Sequence, residues 1–470
     1  AMVQNDLDYY LANGEAQTLG QGDKYGYDYY ANVRKASVWA NGALDLGGFK
    51  ANLALHAGYE SFWRDGLVRK GLFAGLSDMG LPYYVNVKSG NVLSSANPGD
   101  GYKLLTSYDQ NGKAITSKGK SDVNRFFTYS AKLGLQYHFA GGHRIYANGA
   151  YFNDAPTFAQ SFISPRTRNS VVPNLETMKT VSADLNYQFS SNGYNVRVTG
   201  FYTKIMDQTD MMSFYDDSQN SFTNFAMSGI DQRHMGIELG FKVPLPVQGL
   251  SVEGALSWGE YIYTSTPRMT QTVDNSAEVI FDNGIVPYWA NSPVYKKTVM
   301  DGETVYETDL EGNPVIESWQ KHYVPSTPQL AADLGLNYRT NSYWFFEIDA
   351  QYFANSYLDM NPLYRTDMAT AGPDGIVTPM EVEYMTAQEK FDPVFLLNAS
   401  IGKSWYIDRK YNFGFSLNLQ NITNNRMVKT GGYEQTRLID SKSMERYYRF
   451  DSKYFYMQGF NYMLNLYFRF

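Results

Sequence analysis

The feature that most constrains this chain is the sorting of its connections. Segments with a period of two are joined alternately by short and long links. The short links are 44–48, 140–143, the stretch at 191–193, 244–249, 340–342 and 407–410. The long ones cover 60–122, 155–175, 207–229, 264–326, 356–391 and 423–455. A β-sandwich in water has no reason to place every long loop at one end. A transmembrane barrel does, with short turns on the periplasmic side and long loops outside.

The segments carry the matching pattern. Successive side chains of a strand point to opposite faces. In the closing stretch "NYMLNLYFRF", Tyr462, Leu464, Leu466, Phe468 and Phe470 share one face, and Asn461, Met463, Asn465, Tyr467 and Arg469 share the other. Ala131, Leu133, Leu135 and Tyr137 oppose Lys132, Gly134, Gln136 and His138 in the same way. So do Met235, Ile237, Leu239 and Phe241 against His234, Gly236, Glu238 and Gly240. Each such run is long enough for the ~9–11 residues of a tilted membrane-crossing strand. Tyr and Phe gather at the ends of these runs, as in "YDYYANV", "NYQF" and "QYHF". That is where amphipathic rings meet the water–lipid boundary.

Composition excludes several alternatives. The chain holds no run of ~18 apolar residues, so a helical membrane protein is excluded. A mean hydropathy of −0.41 is compatible with alternating spans. The net charge of −7 argues against nucleic acid as a partner. The absence of Cys fits a compartment where free thiols are a liability. The opening "AMVQNDLDYY" has no leader, which implies a removed signal or a part of a longer product.

The expected fold is all-β, an antiparallel transmembrane outer-membrane β-barrel, with residues 1–470 forming about 13 strands of it. The last strand runs toward the periplasm. Counting back through alternating links, the first (about 26–42) does too, so the N-terminus lies on the extracellular side. An odd number of strands cannot close a barrel with alternating directions. The chain therefore reads as the C-terminal part of a larger one.

Two stretches carry a family resemblance. "SVVPNLETMKTVSADLNYQF" (170–189), with Pro173, Asn174, Leu175 and Glu176 ahead of a strand, resembles a motif of TonB-dependent outer-membrane receptors. "FSLNLQNITNNRMVKTGGYEQTR" (415–437) is similar to that family's strand and loop near the C-terminus. The closing "FDSKYFYMQGFNYMLNLYFRF" resembles Bacteroidota members, and its terminal Phe470 resembles the signal read by the barrel-assembly machinery. The resemblance implies a 22-stranded, plugged barrel, nine of whose strands precede Ala1. It also implies partners: a plug and early strands from a second polypeptide or an unlisted N-terminal segment, TonB through that part, outer-membrane lipid, and a surface lipoprotein in the Bacteroidota subgroup. No plug and no TonB-contacting box is read in these 470 residues.

Catalytic and metal chemistry find no support. His56, His138, His143, His234 and His322 show no metal-ligand spacing and no nucleophile partner. No cofactor is expected. The stretch 370–381 places Gly375 and Glu381 as a calcium loop would, but Thr370 and Gly372 stand where carboxylates are needed. The ligand-binding candidates are instead in two loops rich in rings, amides and acids: Tyr215, Asp216, Asp217 and Phe225 in 213–227, and Tyr288, Trp289 and Asn291 in 279–297. Such mixtures suit sugar or peptide surfaces, and equally suit loops packed on one another. The closing strand, Tyr462, Leu464, Leu466, Phe468 and Phe470, is the candidate assembly signal.

The reading is thus a TonB-powered importer of an iron chelate, oligosaccharide, peptide or vitamin, and not an enzyme. The rivals are a passive porin-like or adhesin-type barrel, an outer-membrane enzyme, and a soluble sandwich.

Overall fold

The computed structural model describes residues 2–470 except 217, 218, 275, 277, 374, 409 and 441–446, with only the backbone of 438–440. Its wall is one antiparallel sheet in which every strand pairs with its sequence neighbours. We number the wall strands β1 (Tyr29–Leu46), β2 (Phe49–Gly66), β3 (Asn124–His138), β4 (His143–Asp154), β5 (Met178–Ser191), β6 (Tyr194–Asp216), β7 (Ser221–Pro244), β8 (Leu250–Tyr263), β9 (Leu330–Arg339), β10 (Trp344–Ala354), β11 (Val394–Ile407), β12 (Tyr411–Gln420) and β13 (Asn461–Arg469). Among the described residues, β1 and β13 are the two edges of this path and do not pair with each other.

Register aligns the period-two faces across the sheet. One continuous row runs Leu53, Leu133, Gly149, and a second runs Ala147, Leu185, Gly200, Ile237, Trp258, Leu330. A slip of one residue in any pair would turn a whole strand inside out, so burial of one face in lipid fixes the register. The outward aromatics fall in two bands. Tyr59, Phe127, Tyr129, Tyr202, Trp258, Phe395 and Tyr462 lie toward the long-loop end, and Tyr137, Phe346, Phe468 and Phe470 toward the short-turn end, all of them exposed on the chain. These are the girdles of a membrane barrel.

The short turns use residues that tolerate a left-handed backbone. Asn192-Gly193 between β5 and β6 has positive φ at both positions, the pairing that a two-residue hairpin demands. The long connections build a second layer at the other end. Residues before β1 belong to it, since Asp8 is bonded to Arg69 and Lys118 of the link after β2.

One expected loop is corrected. Residues 207–229 continue β6 and β7 as a hairpin well above the membrane band. Strands of 23 and 24 residues reach ~75 Å at 3.3 Å per residue, about twice the ~9–11 residues a membrane crossing needs. The break in pattern that suggested a loop is a bulge: the register shifts between Ile205, Gln208 and Asp210, and Asp207 takes a φ of 59°. A bulge re-aims a strand without ending it.

Candidate functional site

Two surfaces are available to a solute: the polar face of the wall and the layer of long connections above it. On the polar face, cross-strand neighbours satisfy one another. Asn148 donates to Asp184 at 2.9 Å, Thr199 donates to Asn186 at 2.6 Å, and Asn398 donates to Asp349 at 2.7 Å. Lys242 pairs with Glu253 at 3.0 Å, and Arg197 approaches Glu238 at 3.8 Å. Glycine is needed on this face at Gly236, where a Cβ would meet the Trp258 carbonyl oxygen at 2.5 Å; at Gly134 it would meet only the movable end of Asn52. His234 joins the same face, its Nε2 2.9 Å from Gln232 Oε1. A cavity of about 820 Å³ runs along the wall between Arg197, Glu238, Lys242 and Asp333.

The upper layer is a folded unit with its own core. Phe225, Met227, Ile230, Tyr263, Met269, Val286, Trp289, Met360 and Leu363 form one buried cluster. It joins the β6–β7 hairpin to the links after β8 and β10. Beside it, His322 is fully buried. Its Nε2 lies 2.6 Å from Ser292 Oγ and its Nδ1 3.0 Å from the Trp289 carbonyl oxygen. Burial, aided by the Arg365 guanidinium, pulls its pKa down to about 3, so the ring stays neutral and acts as a fixed hydrogen-bonding hub. The Asp359 carboxyl is pushed the other way, up to about 6, by burial first and by Asp210 second.

A second hub ties the link after β10 to the link after β12. The Glu434 carboxylate, 1% exposed, is held between the Arg365 and Arg449 guanidinium groups. It also accepts the Asn361 backbone N–H at 2.8 Å. The Tyr364 hydroxyl donates to the Gln435 and Arg437 carbonyl oxygens at 2.6 and 2.7 Å. No periodicity marks these residues in the sequence; the one hint is a Glu between Gly-Gly-Tyr and Gln-Thr-Arg in a link that is otherwise polar.

The sequence candidates scatter over this layer. Tyr215 stands near the hairpin tip, 48% exposed, its hydroxyl donating to Asn220 Oδ1 at 2.8 Å and its ring edge-on to Phe222. Asp216 is buried in the same hairpin, and Asp217 lies outside the described residues. Phe225 and Trp289 meet, but in the hydrophobic cluster at 0% and 2% exposure, so as folded they hold the layer together and present no surface to a solute. Tyr288 and Asn291 flank Trp289 and are half-buried. In the 370–381 stretch, Asp374 lies outside the described residues. Glu381 there caps the helix Pro379–Thr386 by reaching back to Thr378.

The comparisons follow this geometry. A family model described as TonB dependent receptor-like, beta-barrel, matches residues 2–424. A search of curated proteins finds no match. Among solved structures, the ferric-catecholate import receptor Fiu from E. coli K12 is similar at 13% identity and a TM-score of 0.45, over 96% of this chain and 46% of that one. The ferric yersiniabactin uptake receptor FyuA from Yersinia pestis gives 12% identity and 0.49, over 93% and 46%. BauA, the ferric preacinetobactin receptor from Acinetobacter baumannii, gives 14% and 0.41, over 93% and 54%. The chain thus spans about half the length of the solved structures it matches.

Proposed function

The chain belongs to the TonB-dependent receptor-like β-barrel family, a family of the bacterial outer membrane, and we propose that it forms the C-terminal part of an importer that takes up a scarce nutrient with energy supplied through TonB. The observation that carries this reading is the family match across nearly the whole chain, on a wall whose polar face is lined by paired side chains beneath a built extracellular layer. Such a layer can select a solute before passage, which a nonselective pore does not need. The nutrient class is an iron chelate, oligosaccharide, peptide or vitamin.

In this reading β1 and β13 are seams. Nine further strands and a plug, from a preceding segment or a second polypeptide, complete the barrel and contact TonB. An exposed edge strand is a template for further pairing, and both edges are free of partners among the described residues. Tyr215, with Tyr288 and Asn291 deeper in, offers the ring and amide contacts for the ligand. A surface lipoprotein is a further candidate partner above the same layer. Catalysis is not part of the reading: Ser292 and His322 sit close, but both are buried and a carbonyl, not a carboxylate, orients the imidazole.

The test is uptake by cells carrying the complete protein, measured against surface binding for a panel of labelled nutrients. Collapse of the proton-motive force is expected to stop uptake of the true nutrient while leaving its binding intact. Uptake that continues unchanged after collapse would instead assign a passive barrel.

The closing strand is proposed as the assembly signal. Leu464, Leu466, Phe468 and Phe470 are all exposed on the outward face of the β13 edge, where the assembly machinery can reach them. Removal of Phe470 is expected to lower the amount of protein in the outer membrane several-fold without changing the thermal stability of the fraction that inserts. Equal membrane yield for the two proteins would remove this role.

A further inference from the structure

Arg168 is a buried cation of the upper layer with no polar partner among the described residues. It lies in the link between β4 and β5, in a segment held rigidly from both sides. The Arg168 backbone N–H donates to the Ser164 carbonyl oxygen at 3.2 Å, and that of Asn169 donates to Thr116 at 2.8 Å. The side chain is 3% exposed, yet among the described residues no hydrogen bond or ion pair reaches its guanidinium, and its buried Nε is unpartnered. Its guanidinium carbon lies 5.8 Å from the centre of the Phe73 ring. The contrast with Arg64 nearby is instructive. That guanidinium is equally buried but donates to the Pro165 and Ser117 carbonyl oxygens at 2.5 and 2.6 Å and to the Asn169 side chain. Burial without an adjacent anion draws the Arg168 pKa down to about 10. Asp274, the one acid whose field reaches it, is engaged by Arg166 at 3.5 Å and by the Ser164 hydroxyl at 2.5 Å.

Arg168 lines a cavity of about 550 Å³, within the usual range of small-molecule sites. Thr272 lines it too, 1% exposed, with its hydroxyl also unpartnered. Buried Ile163 and Val172 give the cavity an apolar part of its wall. The acids that line this cavity are exposed or engaged with other groups. Asp282 is at the exposed mouth, Asp122 is paired with Lys113 at 2.7 Å, and Asp109 accepts two N–H groups of its own turn. A buried charge ordinarily has a partner, because losing water without one is costly. Here two buried donors, Arg168 Nε and the Thr272 hydroxyl, line one cavity and have no partner among the described residues.

We propose that this cavity is a binding site for a small solute carrying an oxyanion, a carboxylate or phosphate group, which docks on the Arg168 guanidinium and the Thr272 hydroxyl. The guanidinium fork matches both groups in geometry and charge. The site stands independently of the transport reading, since it needs only the upper layer to be folded.

The test uses the complete protein in detergent, with succinate, inorganic phosphate and glycerol as probes at constant ionic strength. Succinate, phosphate or both are expected to raise the thermal midpoint, and which of them does so identifies the group. Glycerol at the same concentration is expected to have no effect. In Arg168→Met the same anion is expected to bind roughly thirtyfold more weakly or worse, and the ligand-free midpoint to be equal to or above that of the wild type, because an unpaired buried cation has been removed. Thr272→Val is expected to weaken binding with the midpoint unchanged. A wild type that responds to neither anion beyond the salt control, or an Arg168→Met variant that keeps the response, overturns the proposal. So does an Arg168→Met variant whose ligand-free midpoint falls, which would make the arginine a structural residue.

Discussion

Glu434→Ala is expected to loosen the upper layer by about 3–5 kcal/mol, the range for removing one partner of a buried ion pair. Among the described residues the carboxylate is the one anion paired with both guanidinium groups, and one of these, Arg365, is fully buried. Burial already presses the Arg365 pKa down and Glu434 is what holds it up. Without it, Arg365 keeps only its bonds to the Asn361 and Ala387 carbonyl oxygens, and the Asn361 N–H loses its acceptor. The link after β10 and the link after β12 stay joined by the Tyr364 hydroxyl, by Asn361 donating to Thr436 at 2.9 Å and by Lys429 paired with Glu389 at 3.2 Å, so the layer loosens without coming apart. The expected readout is faster hydrogen exchange in 355–393 and 421–460, with exchange in the wall strands unchanged. The combined variant Arg365→Met, Glu434→Leu, Arg449→Met is expected to recover most of the loss, since apolar groups of similar volume need no counter-charge. Unaltered exchange in Glu434→Ala would mean that the hub carries no stability.

The wall could be read from the chain because lipid and lumen impose opposite chemistry on alternate residues. Leu133 and Lys132 cannot exchange places, and the sequence records that at every strand between the girdles. Above the membrane the constraint lapses. The upper half of β6 and β7 packs within the extracellular layer, where 223–228 are buried on both faces, so 207–216 need not alternate, and a strand there has the composition of a loop. The same blindness affects the aromatics. Phe225 and Trp289 sit among Asn, Asp and Tyr in the sequence, as a sugar-binding surface would have them. That mixture is also what a small core beneath polar loops requires, and composition does not report which rings are covered. Arg168 and Arg365 show the limit most plainly. Both are arginines in polar links, and only the fold reveals that Arg365 is clamped by a carboxylate while Arg168 has no such partner among the described residues.

The largest expected effect on the wall comes from a charge on its lipid face, and its dependence on height separates a membrane barrel from any buried sheet. Leu133 lies on the outward row beside Leu53 and Gly149, between the two aromatic bands. Phe127 is on the same face of β3, six positions nearer the long-loop end. Six residues span ~20 Å of strand, or ~14 Å of height at a tilt of ~45°, which carries position 127 to the upper girdle. Leu133→Arg is expected to cost about 2–4 kcal/mol beyond Leu133→Ala, and Phe127→Arg no more than about 1 kcal/mol beyond Phe127→Ala. Lys132→Met, on the polar face, gives up only the contact of its ammonium with the Phe152 ring at 5.0 Å, about 0.5–1 kcal/mol. Reversible denaturant unfolding of the complete protein in lipid vesicles measures all of these. In a sandwich core, arginine would be rejected at 127 and 133 according to local packing, with no reason for the cost to fall toward the girdle. Equal penalties at the two positions would therefore count against lipid on this face, whereas a graded pair fixes both the face and the depth of the membrane.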